Sequence, residues 1–332
     1  MAQVIVTGGV GFIGYHVTRA LLSRGDSVVV ADDFSDAPYP TAEKRRNARD
    51  LASVFPVDRL RIATACVTDA AQMAPLVRGA DAVIHLAGLA GVRPSFAEPA
   101  RYARVNVEGT AVLSELARQA GIDRFVFASS SSVYGNATPL PAHEDAPAVA
   151  PASPYAASKR AAELIASSLA LQAPAARCVA LRFFTVYGPR QRPEMAITRF
   201  ARALLAGKPL TLFGDGSMRR DFTHVDDIVR GVLAALDRAP PGYRVYNLGS
   251  GAPVDLQALL RALAVTAGAD PIVAREAVPL GDVEATFADI RRAEAELGWQ
   301  PRIALEHGLE TVVAWVRAHP ADGDPHEAGL RA

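Results

Sequence analysis

The feature that most constrains the fold is a glycine-rich turn, TGGVGFIG at residues 7–14, between a predicted strand and a predicted helix. Its glycines let the backbone turn tightly, let a phosphate approach, and let the helix pack closely on the strand. The N-terminus of the helix offers free N–H groups and a positive dipole end to a pyrophosphate. The turn therefore predicts a dinucleotide site with contacts from Gly8, Gly11, Phe12, Ile13 and Gly14.

An acidic residue, Asp32, ends the second predicted strand, 18 residues after Gly14. An acid in this place accepts hydrogen bonds from an adenosine ribose and disfavours the 2′-phosphate of NADP. The alternative interpretation is a tight turn followed by an ordinary capping aspartate. Three basic residues that follow, Lys44, Arg45 and Arg46, favour NADP instead. We predict NAD.

Short apolar runs alternate with helical patterns through the first half of the chain, which predicts βαβ units and a parallel sheet covered on both faces. The predicted strands are residues 3–7, 27–31, 61–65, 82–87, 125–129, 178–183, 210–213 and 244–248. The predicted helices are residues 12–24, 99–120, 154–171, 195–206, 225–237, 256–267, 290–297 and 305–319. The second half is the less regular of the two.

The pattern predicts an α/β chain, with a Rossmann-type doubly wound parallel sheet and a smaller mixed α/β substrate domain. Residues 1–183 would form the NAD-binding domain, with residues 222–252 returning to it. Residues 184–221 and 253–319 would form the second domain, and residues 320–332 a loose tail. The length of 332 residues suits about two domains.

Composition narrows the classes of partner. Lys and Arg total 35, as do Asp and Glu, so the formal net charge is zero and indicates no nucleic-acid and no membrane partner. No stretch approaches roughly 18 apolar residues, and the N-terminus does not resemble a signal peptide. The two cysteines, Cys66 and Cys178, match no metal-ligand spacing. We expect reduced thiols, no metal and a cytoplasmic location.

The segment SPYAASK at residues 153–159 places Tyr155 and Lys159 four residues apart, on one face of a predicted helix. A free tyrosine has a pKa of about 10 and is a poor base at neutral pH, but a nearby ammonium favours the phenolate and lowers that pKa. Lysine can also bind a nicotinamide ribose. The alternative is an ordinary exposed pair, but the glycine-rich turn favours catalytic and cofactor-binding roles for both residues.

With these motifs the chain resembles the extended short-chain dehydrogenase/reductases. The resemblance reaches about residue 319 and includes TGGVGFIG, HLAG at 85–88, NVEGT at 106–110, SSVYG at 131–135, the Tyr155–Lys159 pair, RFFTVYGPR at 182–190, RRDFTHVDD at 219–227 and GD at 281–282. It implies a nucleotide-sugar enzyme with permanently bound NAD. The further cofactor contacts that it implies are Val67, Leu86, Ala87, Gly88 and Asn106.

The residues after the third predicted strand depart from the family pattern. Many relatives have Gly-Asp after the third strand, with a carboxylate that accepts from the adenine amine, whereas this chain has Ala65-Cys66. The adenine contact is then weakened or made by the backbone at Val67.

The resemblance also implies that Asn106 ties loops together under the site. The two histidines His85 and His224 are expected to be structural.

Four consecutive serines, Ser129 to Ser132, bear on the reaction. The resemblance makes Ser130 the hydroxyl that hydrogen-bonds the reacting sugar oxygen beside Tyr155. Dehydratases of the family have an Asp-Glu pair, and decarboxylases a glutamate, where this chain has Ser131 and Ser132. A serine hydroxyl cannot replace a positioned acid or base, so these reactions are unsupported. What remains is oxidation at C4, rotation of the ketone and return of the hydride, which is a 4-epimerisation.

Two segments look most like those of UDP-glucuronate 4-epimerases, namely residues 86–110 and 182–196. Glucuronate brings a C5 carboxylate, which an arginine can hold with two parallel hydrogen bonds. We expect Arg192 to be this clamp, with Thr185 and Ser131 as hydroxyl donors and Arg190 as the alternative anchor. A rigid clamp would also protect the 4-keto intermediate, a β-keto acid, from loss of CO2.

The remaining expectations concern the nucleotide and the assembly. Arg220 and Asp282 match family positions that hold the diphosphate and the nucleotide ribose. The nearest alternative activity is UDP-glucose 4-epimerase, followed by a lyase and by a non-catalytic NAD-binding sensor. The resemblance implies a homodimer in which helices 99–120 and 154–171 pack across a twofold. Close approach would use a set of alanines, Ala156, Ala157, Ala161, Ala162 and Ala166.

Overall fold

Strands and helices alternate through the first half of the chain in the computed structural model of the protein, which describes residues 1–37, 40–279 and 281–320. The strands are β1 (Gln3–Thr7), β2 (Ser27–Asp32), β3 (Leu60–Thr64), β4 (Ala82–His85), β5 (Arg124–Ser130), β6 (Arg177–Phe183), β7 (Thr185–Tyr187), β8 (Leu210–Phe213), β9 (Arg219–Arg220), β10 (Phe222–His224), β11 (Gly242–Leu248), β12 (Val254–Asp255) and β13 (Val273–Glu276). The α-helices are α1 (Phe12–Arg24), α2 (Thr41–Val54), α3 (Ala70–Val77), α4 (Val92–Ala97), α5 (Pro99–Tyr102), α6 (Gly109–Gln119), α7 (Pro154–Ala170), α8 (Ala196–Ala206), α9 (Val225–Arg238), α10 (Leu256–Ala267), α11 (Arg291–Leu297) and α12 (Leu305–Ala318).

Seven strands form one parallel sheet in the order β3-β2-β1-β4-β5-β6-β11. The strand order reverses between β1 and β4, and at such a switch point the carboxyl ends of the strands border a ligand-binding crevice. β11 pairs with β6 along its length, from Gly242 opposite Arg177 to Leu248 opposite Phe183. The Rossmann-type parallel sheet is therefore confirmed, and so is the strand of the second half that returns to it.

Alternate side chains of the sheet enter two separate cores. Val4 and Val6 of β1 pack with α1 and α9, whereas Ile5 packs with α3, α6 and α7 on the opposite face. All three side chains are fully buried. Burial on both faces explains why the strands are nearly continuous apolar runs.

A third core lies between α8, α10 and α12 in the second half of the chain. Phe200, Leu204, Leu259, Leu263 and Leu309 are buried in it. The second half also contains three short strand pairs, namely β7 with β10, β9 with β12 and β8 with β13. Pairs of this length leave little periodicity in the sequence, which explains why only the strand at residues 210–213 is predicted among them.

The helix predicted at residues 99–120 is interrupted. α5 ends at Tyr102, a π-helical turn spans Ala103–Glu108, and α6 begins at Gly109. Such a turn widens the helix locally, and π-helical turns are frequent at functional sites. Three further helices are absent from the prediction, because α2 is strongly polar and α3 and α4 have only eight and six residues.

The expectation that five alanines of α7 face a second subunit is wrong for three of them. Ala156, Ala162 and Ala166 are buried within the chain itself, while Ala157 is exposed and Ala161 is half-buried. Adjacent residues of a helix point to different faces, so the five alanines cannot share one surface. The exposed apolar side chains near this helix are instead those of Leu164 and Leu171.

Two expectations concern the ends of the chain and membranes. Among the described helices, none combines the length and apolar character needed to cross a bilayer. The loose tail predicted at residues 320–332 lies outside the described residues, apart from Pro320.

A buried carboxylate, that of Asp221 between β9 and β10, joins three segments of the second half. Its Oδ1 accepts from the backbone N and the Oγ of Ser250, at 2.5 and 2.7 Å. Its Oδ2 accepts from the backbone N of Gly251 at 3.1 Å and of Ala288 at 3.0 Å. Asp221 is fully buried, so its carboxylate relies on these four donors rather than on water.

We expect Asp221→Ala to lower the free energy of unfolding by about 3 kcal/mol or more, because it leaves several buried donors unsatisfied. Urea unfolding followed by circular dichroism measures the loss. The matched control is Asp215→Ala in the exposed turn after β8, for which we expect a change of about 1 kcal/mol or less. Equal losses in the two variants would contradict a fastening role for Asp221.

Candidate active site

The glycine-rich turn packs so tightly that side chains are excluded from it. Gly8 has φ +66°, and a Cβ there would lie 2.7 Å from the backbone N of Ala87. A Cβ on Gly14 would lie 2.0 Å from the carbonyl oxygen of Gly8. Gly11 is the N-cap of α1, where no side chain caps the helix and no acid lies in the first turn, which begins with Phe12 and Ile13. This open helix N-terminus fits a pyrophosphate.

Asp32, the last residue of β2, is buried beside Lys44. Its Oδ1 accepts from the backbone N of Phe34 at 3.0 Å and lies 3.8 Å from the Lys44 Nζ. Burial raises the pKa of Asp32, and the Lys44 ammonium acts against that shift. Lys44 and Arg46 both have carboxylate partners, and Arg45 lies over the Phe34 ring. The basic residues that favoured NADP are thus engaged by the protein.

The expected adenine region lies after β3. Val67 is buried, and the backbone N of Cys66 donates to Gln72 Oε1 at 3.0 Å. The Cys66 thiol is 3.2 Å from the Thr68 hydroxyl. The Cys66 side chain therefore has a protein partner of its own.

Asn106, in the π-helical turn, joins the loop after β4 to α7. Its side chain accepts from the backbone N of Leu89 at 2.8 Å and donates to the Leu89 carbonyl at 3.0 Å and to Ser158 Oγ at 2.9 Å. The loop begins with Leu86 and Ala87, whose backbone N–H groups donate to Thr7. The structure thus places the HLAG segment over β1 and beside the glycine-rich turn.

Both histidines singled out from the sequence have structural contacts. His85 lies between Thr7 Oγ1, at 2.7 Å from its Nδ1, and Thr110 Oγ1, at 3.2 Å from its Nε2. Burial lowers the pKa of His85 to about 3, so the ring is neutral. His224 caps α9, and its Nε2 lies 3.1 Å from Thr311 Oγ1. No metal cluster of His, Cys, Asp and Glu occurs among the described residues.

Tyr155 lies in the first turn of α7, where Ser153 caps the helix. Burial raises the pKa of Tyr155, and a hydrogen bond with Ser130 and the charge of Arg192 oppose that shift. The sequence argument assigned the opposing effect to Lys159. In the structure the Lys159 Nζ instead donates to the Ala128 carbonyl at 2.9 Å, which directs the ammonium towards β5.

Lys159 itself is held in a narrow space. A Cβ on Gly88 would lie 3.1 Å from the Lys159 Nζ and 2.9 Å from Asn106 Oδ1. Burial lowers the pKa of Lys159 to about 8, while the charge of Glu163 acts to raise it. Gly88, Asn106 and Lys159, three expected cofactor contacts, therefore meet at one point.

The four serines have different environments. Ser129 Oγ donates to Glu163 Oε1 at 2.5 Å in the core. Ser130 Oγ accepts from the backbone N of Ser132 at 3.2 Å, at the start of a short 3-10 helix, and Ser130 acts to lower the pKa of Tyr155. Ser131 and Ser132 line the neighbouring cleft. Only the last three serines border the site.

This cleft, of about 110 Å³, gathers most of the residues expected to bind substrate. Its lining residues are Val92, Ser131, Ser132, Ala152, Ser153, Ala156, Thr185, Arg220, Gly281, Asp282, Val283 and Thr286. Burial lowers the pKa of Arg220, and the nearby charge of Asp282 acts against this shift. Asp282 also pairs with Arg93 at 3.5 Å, a residue that the sequence reasoning missed.

Arg190 and Arg192 have separate roles in the loop after β7. Arg190 has a left-handed backbone, with φ +66°, and donates to Asn47 Oδ1 at 2.5 Å and Asp50 Oδ2 at 2.6 Å. Its guanidinium lies over the rings of two further residues, Tyr15 and Trp315.

Arg192, in contrast, lies at the edge of the site outside the cleft lining. Its Nη1 is 3.0 Å from Glu194 Oε1 and donates to the Ala90 carbonyl at 3.4 Å. Its charge acts on Tyr155. Of the two candidate anchors, Arg192 is therefore the one near the phenol.

Comparison with known proteins agrees with this geometry. A sequence model described as the NAD dependent epimerase/dehydratase family matches residues 4–249. A UDP-glucuronate 4-epimerase of Thermodesulfobacterium geofontis is 37% identical over 320 residues, which cover 95% of this chain and 96% of that protein.

Solved structures of two activities are similar to the chain. The UDP-glucuronic acid 4-epimerase from Bacillus cereus, in complex with UDP-glucuronic acid and NAD, has a TM-score of 0.88 and 33% identity, with 95% of this chain and 99% of the other covered. A dTDP-glucose 4,6-dehydratase from Streptomyces venezuelae, with NAD bound, has a TM-score of 0.87 and 33% identity, with coverages of 96% and 97%. Similarity of fold alone therefore does not separate epimerase from dehydratase.

Proposed function

The chain belongs to the NAD dependent epimerase/dehydratase family, and we propose that it is a UDP-glucuronate 4-epimerase that interconverts UDP-glucuronate and UDP-galacturonate. The observation that carries this proposal is the chemistry of the cleft beside Tyr155. It presents the hydroxyls of Ser131, Ser132 and Thr185, and its one carboxylate among the described residues, Asp282, pairs with Arg93. An elimination would need a positioned acid and base there.

NAD fits the crevice at the end of the sheet, because the glycine-rich turn has no room for side chains and the N-terminus of α1 is uncapped. Bound NAD would supply reversible hydride transfer to and from C4 of the sugar. Asp32 would accept from the adenosine ribose, and Lys159 would donate to the nicotinamide ribose. The other residues that would border the cofactor are Gly8, Gly11, Phe12, Ile13, Gly14, Val67, Leu86, Ala87, Gly88, Asn106 and Tyr155.

The catalytic residues of the proposed reaction are Tyr155, Ser130 and Lys159. Tyr155 takes the proton of the C4 hydroxyl as the ketone forms, and returns it when the ketone is reduced on its other face. Ser130, which acts to lower the pKa of Tyr155, would donate to the same sugar oxygen. Because burial raises the pKa of Tyr155, the positive charge of Arg192 would help to stabilise the phenolate.

Arg192 is proposed to hold the C5 carboxylate, with hydroxyls from Thr185 and Ser131. In the structure the guanidinium already pairs with a carboxylate, that of Glu194 at 3.0 Å, and its charge reaches Tyr155. Loss of CO2 from the 4-keto intermediate requires the carboxylate bond to align with the carbonyl π system. A bidentate clamp that keeps the two out of alignment would protect the intermediate. At the other end of the substrate, Arg220 would hold the diphosphate and Asp282 the nucleotide ribose.

The proposal extends to domains, assembly and location. We assign residues 1–183 and 222–252 to the NAD-binding domain and residues 184–221 and 253–319 to the nucleotide-sugar domain, supported by the place of β11 in the main sheet and by the separate core of α8, α10 and α12. The free thiols Cys66 and Cys178 are compatible with a reducing cytoplasm.

A homodimer formed through α6 and α7 is supported by the apolar side chains of Leu164 and Leu171. They are seven residues apart, hence on one helix face, and are 51% and 81% exposed.

A first experiment tests the activity. Purified protein is incubated, without added NAD, with UDP-glucuronate and UDP-glucose in separate reactions, and the products are resolved by chromatography. We expect UDP-galacturonate to be the main product, and Tyr155→Phe to lower its rate by about 100-fold or more. Faster formation of UDP-galactose would assign the chain to UDP-glucose instead. CO2 and a UDP-pentose as main products would contradict the interpretation of Ser131 and Ser132.

A second experiment separates the two arginines. Arg192→Ala should weaken the affinity for UDP-glucuronate by about 10- to 100-fold, because a charged bidentate contact is lost, and should release CO2 as a side product. Arg190→Ala should instead lower the free energy of unfolding by about 2 kcal/mol, because its hydrogen bonds and ring contacts are lost. Unchanged affinity and turnover in Arg192→Ala would remove the clamp from the mechanism.

A third experiment tests the assembly. Sedimentation equilibrium should give twice the chain mass of 35.0 kDa for the wild-type protein. Leu164→Asp should shift the protein to monomer, because it buries a charge in the proposed interface. Val265→Asp, a matched change at an exposed position of α10, should leave the dimer intact. A monomeric wild-type protein would exclude this arrangement.

A further inference from the structure

A buried carboxylate lies one helical turn after Lys159, and the activity described above does not use it. Glu163 of α7 has no solvent exposure. Arg182 of β6 donates to it through Nε at 2.9 Å and Nη2 at 2.8 Å. Ser129 of β5 donates at 2.5 Å, and Arg160, which is 30% exposed, donates at 2.9 Å. The side chain thus accepts from two strands and from its own helix.

The cluster joins the elements that carry the proposed reaction. Ser129 directly precedes Ser130, and Arg182 lies three residues before Thr185. The guanidinium of Arg182 is itself held from its other side, 4.7 Å over the Tyr134 ring and bonded to the Glu144 carbonyl at 3.2 Å. Any shift of Glu163 would therefore change the separation between the end of β5 and the helix that carries Tyr155.

Few charges act on Lys159 within the part of the chain that the structure describes. From β5 the Ala128 carbonyl accepts from its Nζ, and from the π-helical turn the amide of Asn106 approaches the same space above Gly88. His85 on β4 is neutral, because its pKa is about 3. The group that favours the ammonium is Glu163, on the same helix.

Glu163 in turn faces cations on two sides. Arg182 and Arg160 both pair with it and hold its pKa below the ordinary value, although burial alone would raise it. From β11, Tyr243 faces the cluster as a neutral phenol, because burial raises its pKa and the charge of Glu163 adds to that effect. Removal of the carboxylate would leave the buried cation of Arg182 with no countercharge.

We propose that Glu163 is a positioning residue, which locks the end of β5 against α7 and supplies the negative charge that keeps Lys159 as an ammonium. The inference rests on the proposed roles of Tyr155 and Lys159 in the reaction. Because burial already brings the pKa of Lys159 down to about 8, a further fall would leave part of the lysine uncharged at neutral pH. The uncharged form would not bind a ribose as a cation.

The direct test uses the small number of lysines. The chain has three, Lys44, Lys159 and Lys208, so lysine labelled with 13C at Cε gives a spectrum that can be resolved by NMR. Lys159→Met identifies the signal of Lys159, whose chemical shift is followed against pH in the protein as purified with its cofactor.

In Glu163→Gln we expect the titration midpoint of Lys159 to fall by about one pH unit, because a nearby negative charge is lost and Arg182 is left uncompensated. Since the required form is the ammonium, the alkaline limb of the turnover profile should move to lower pH by the same amount. In Glu163→Asp, which keeps the charge but shortens the side chain, the midpoint should stay in place while turnover falls by about 10-fold at every pH.

Two variants complete the design. Glu310→Gln, the same change at an exposed site of α12, should alter neither the midpoint nor the profile. Ser129→Ala keeps both charges but removes one hydrogen bond to Glu163, so it should lower turnover with no change of midpoint, and it tests positioning even where Glu163→Gln does not fold.

A Lys159 midpoint that is equal in wild type and Glu163→Gln would overturn the electrostatic role, and unchanged turnover in Ser129→Ala and Glu163→Asp would overturn the positioning role. Failure of the proposed function appears differently, as a wild-type protein that does not convert UDP-glucuronate. The NMR titration still tests the charge of Lys159 in that case.

Discussion

The close approach of α1 to β1 is the contact on which the rest of the site depends. A Cβ on Gly14 would lie only 2.0 Å from the Gly8 carbonyl oxygen, so no side chain fits at this position. The approach brings the uncapped N-terminus of α1 to the carboxyl end of the sheet, at the point where the strand order reverses. The ends of β2, β4 and β5 open onto this edge, and so Asp32, the HLAG loop and the serine run lie around one crevice.

A shared framework of this kind leaves the choice of reaction to a few side chains. An epimerase and a dehydratase are almost equally similar to the chain in structure, with TM-scores of 0.88 and 0.87. What distinguishes the reactions is whether a second proton can be moved on the sugar. Serine hydroxyls at 131 and 132 can donate hydrogen bonds to a substrate, but they cannot replace the positioned general acid and base that an elimination requires. Those positions therefore support binding rather than elimination.

The parts of the fold that local sequence patterns specify could be predicted, and those that depend on long-range contacts could not. The glycine-rich turn, the spacing of Tyr155 and Lys159, and the apolar run that becomes β11 are local signals. The π-helical turn at Asn106 is invisible in a hydrophobic pattern. The partner of Glu163 is Arg182, 19 residues further on and on another element, so no spacing rule identifies it.

Dependence on contacts between residues that are distant in the sequence also explains two errors of interpretation. The pKa of Tyr155 was expected to respond to Lys159, its neighbour on the helix face, but the side chains that oppose the effect of burial come from β5 and from the loop after β7. The alanines of α7 look like a stripe in the sequence, yet three of them are buried within their own chain. In both cases spacing along a helix identifies neighbours, while the direction of each side chain is decided by what packs against the helix.

Several charged side chains at or near the site lie beside a side chain of opposite charge. Asp32 lies beside Lys44, Asp282 beside Arg93, Arg192 beside Glu194 and Glu163 beside Arg182. Where both members are buried, as in the Glu163 pair, breaking the pair is costly, and the residues act as part of the framework. Where one member is more exposed, as Glu194 is at 41%, an incoming anion can take its place with little cost. A nucleotide sugar with an acidic sugar would compete with Glu194 for Arg192 and would leave the buried pair of Glu163 and Arg182 intact. The burial of each pair therefore distinguishes the groups that bind substrate from those that maintain the geometry of the site.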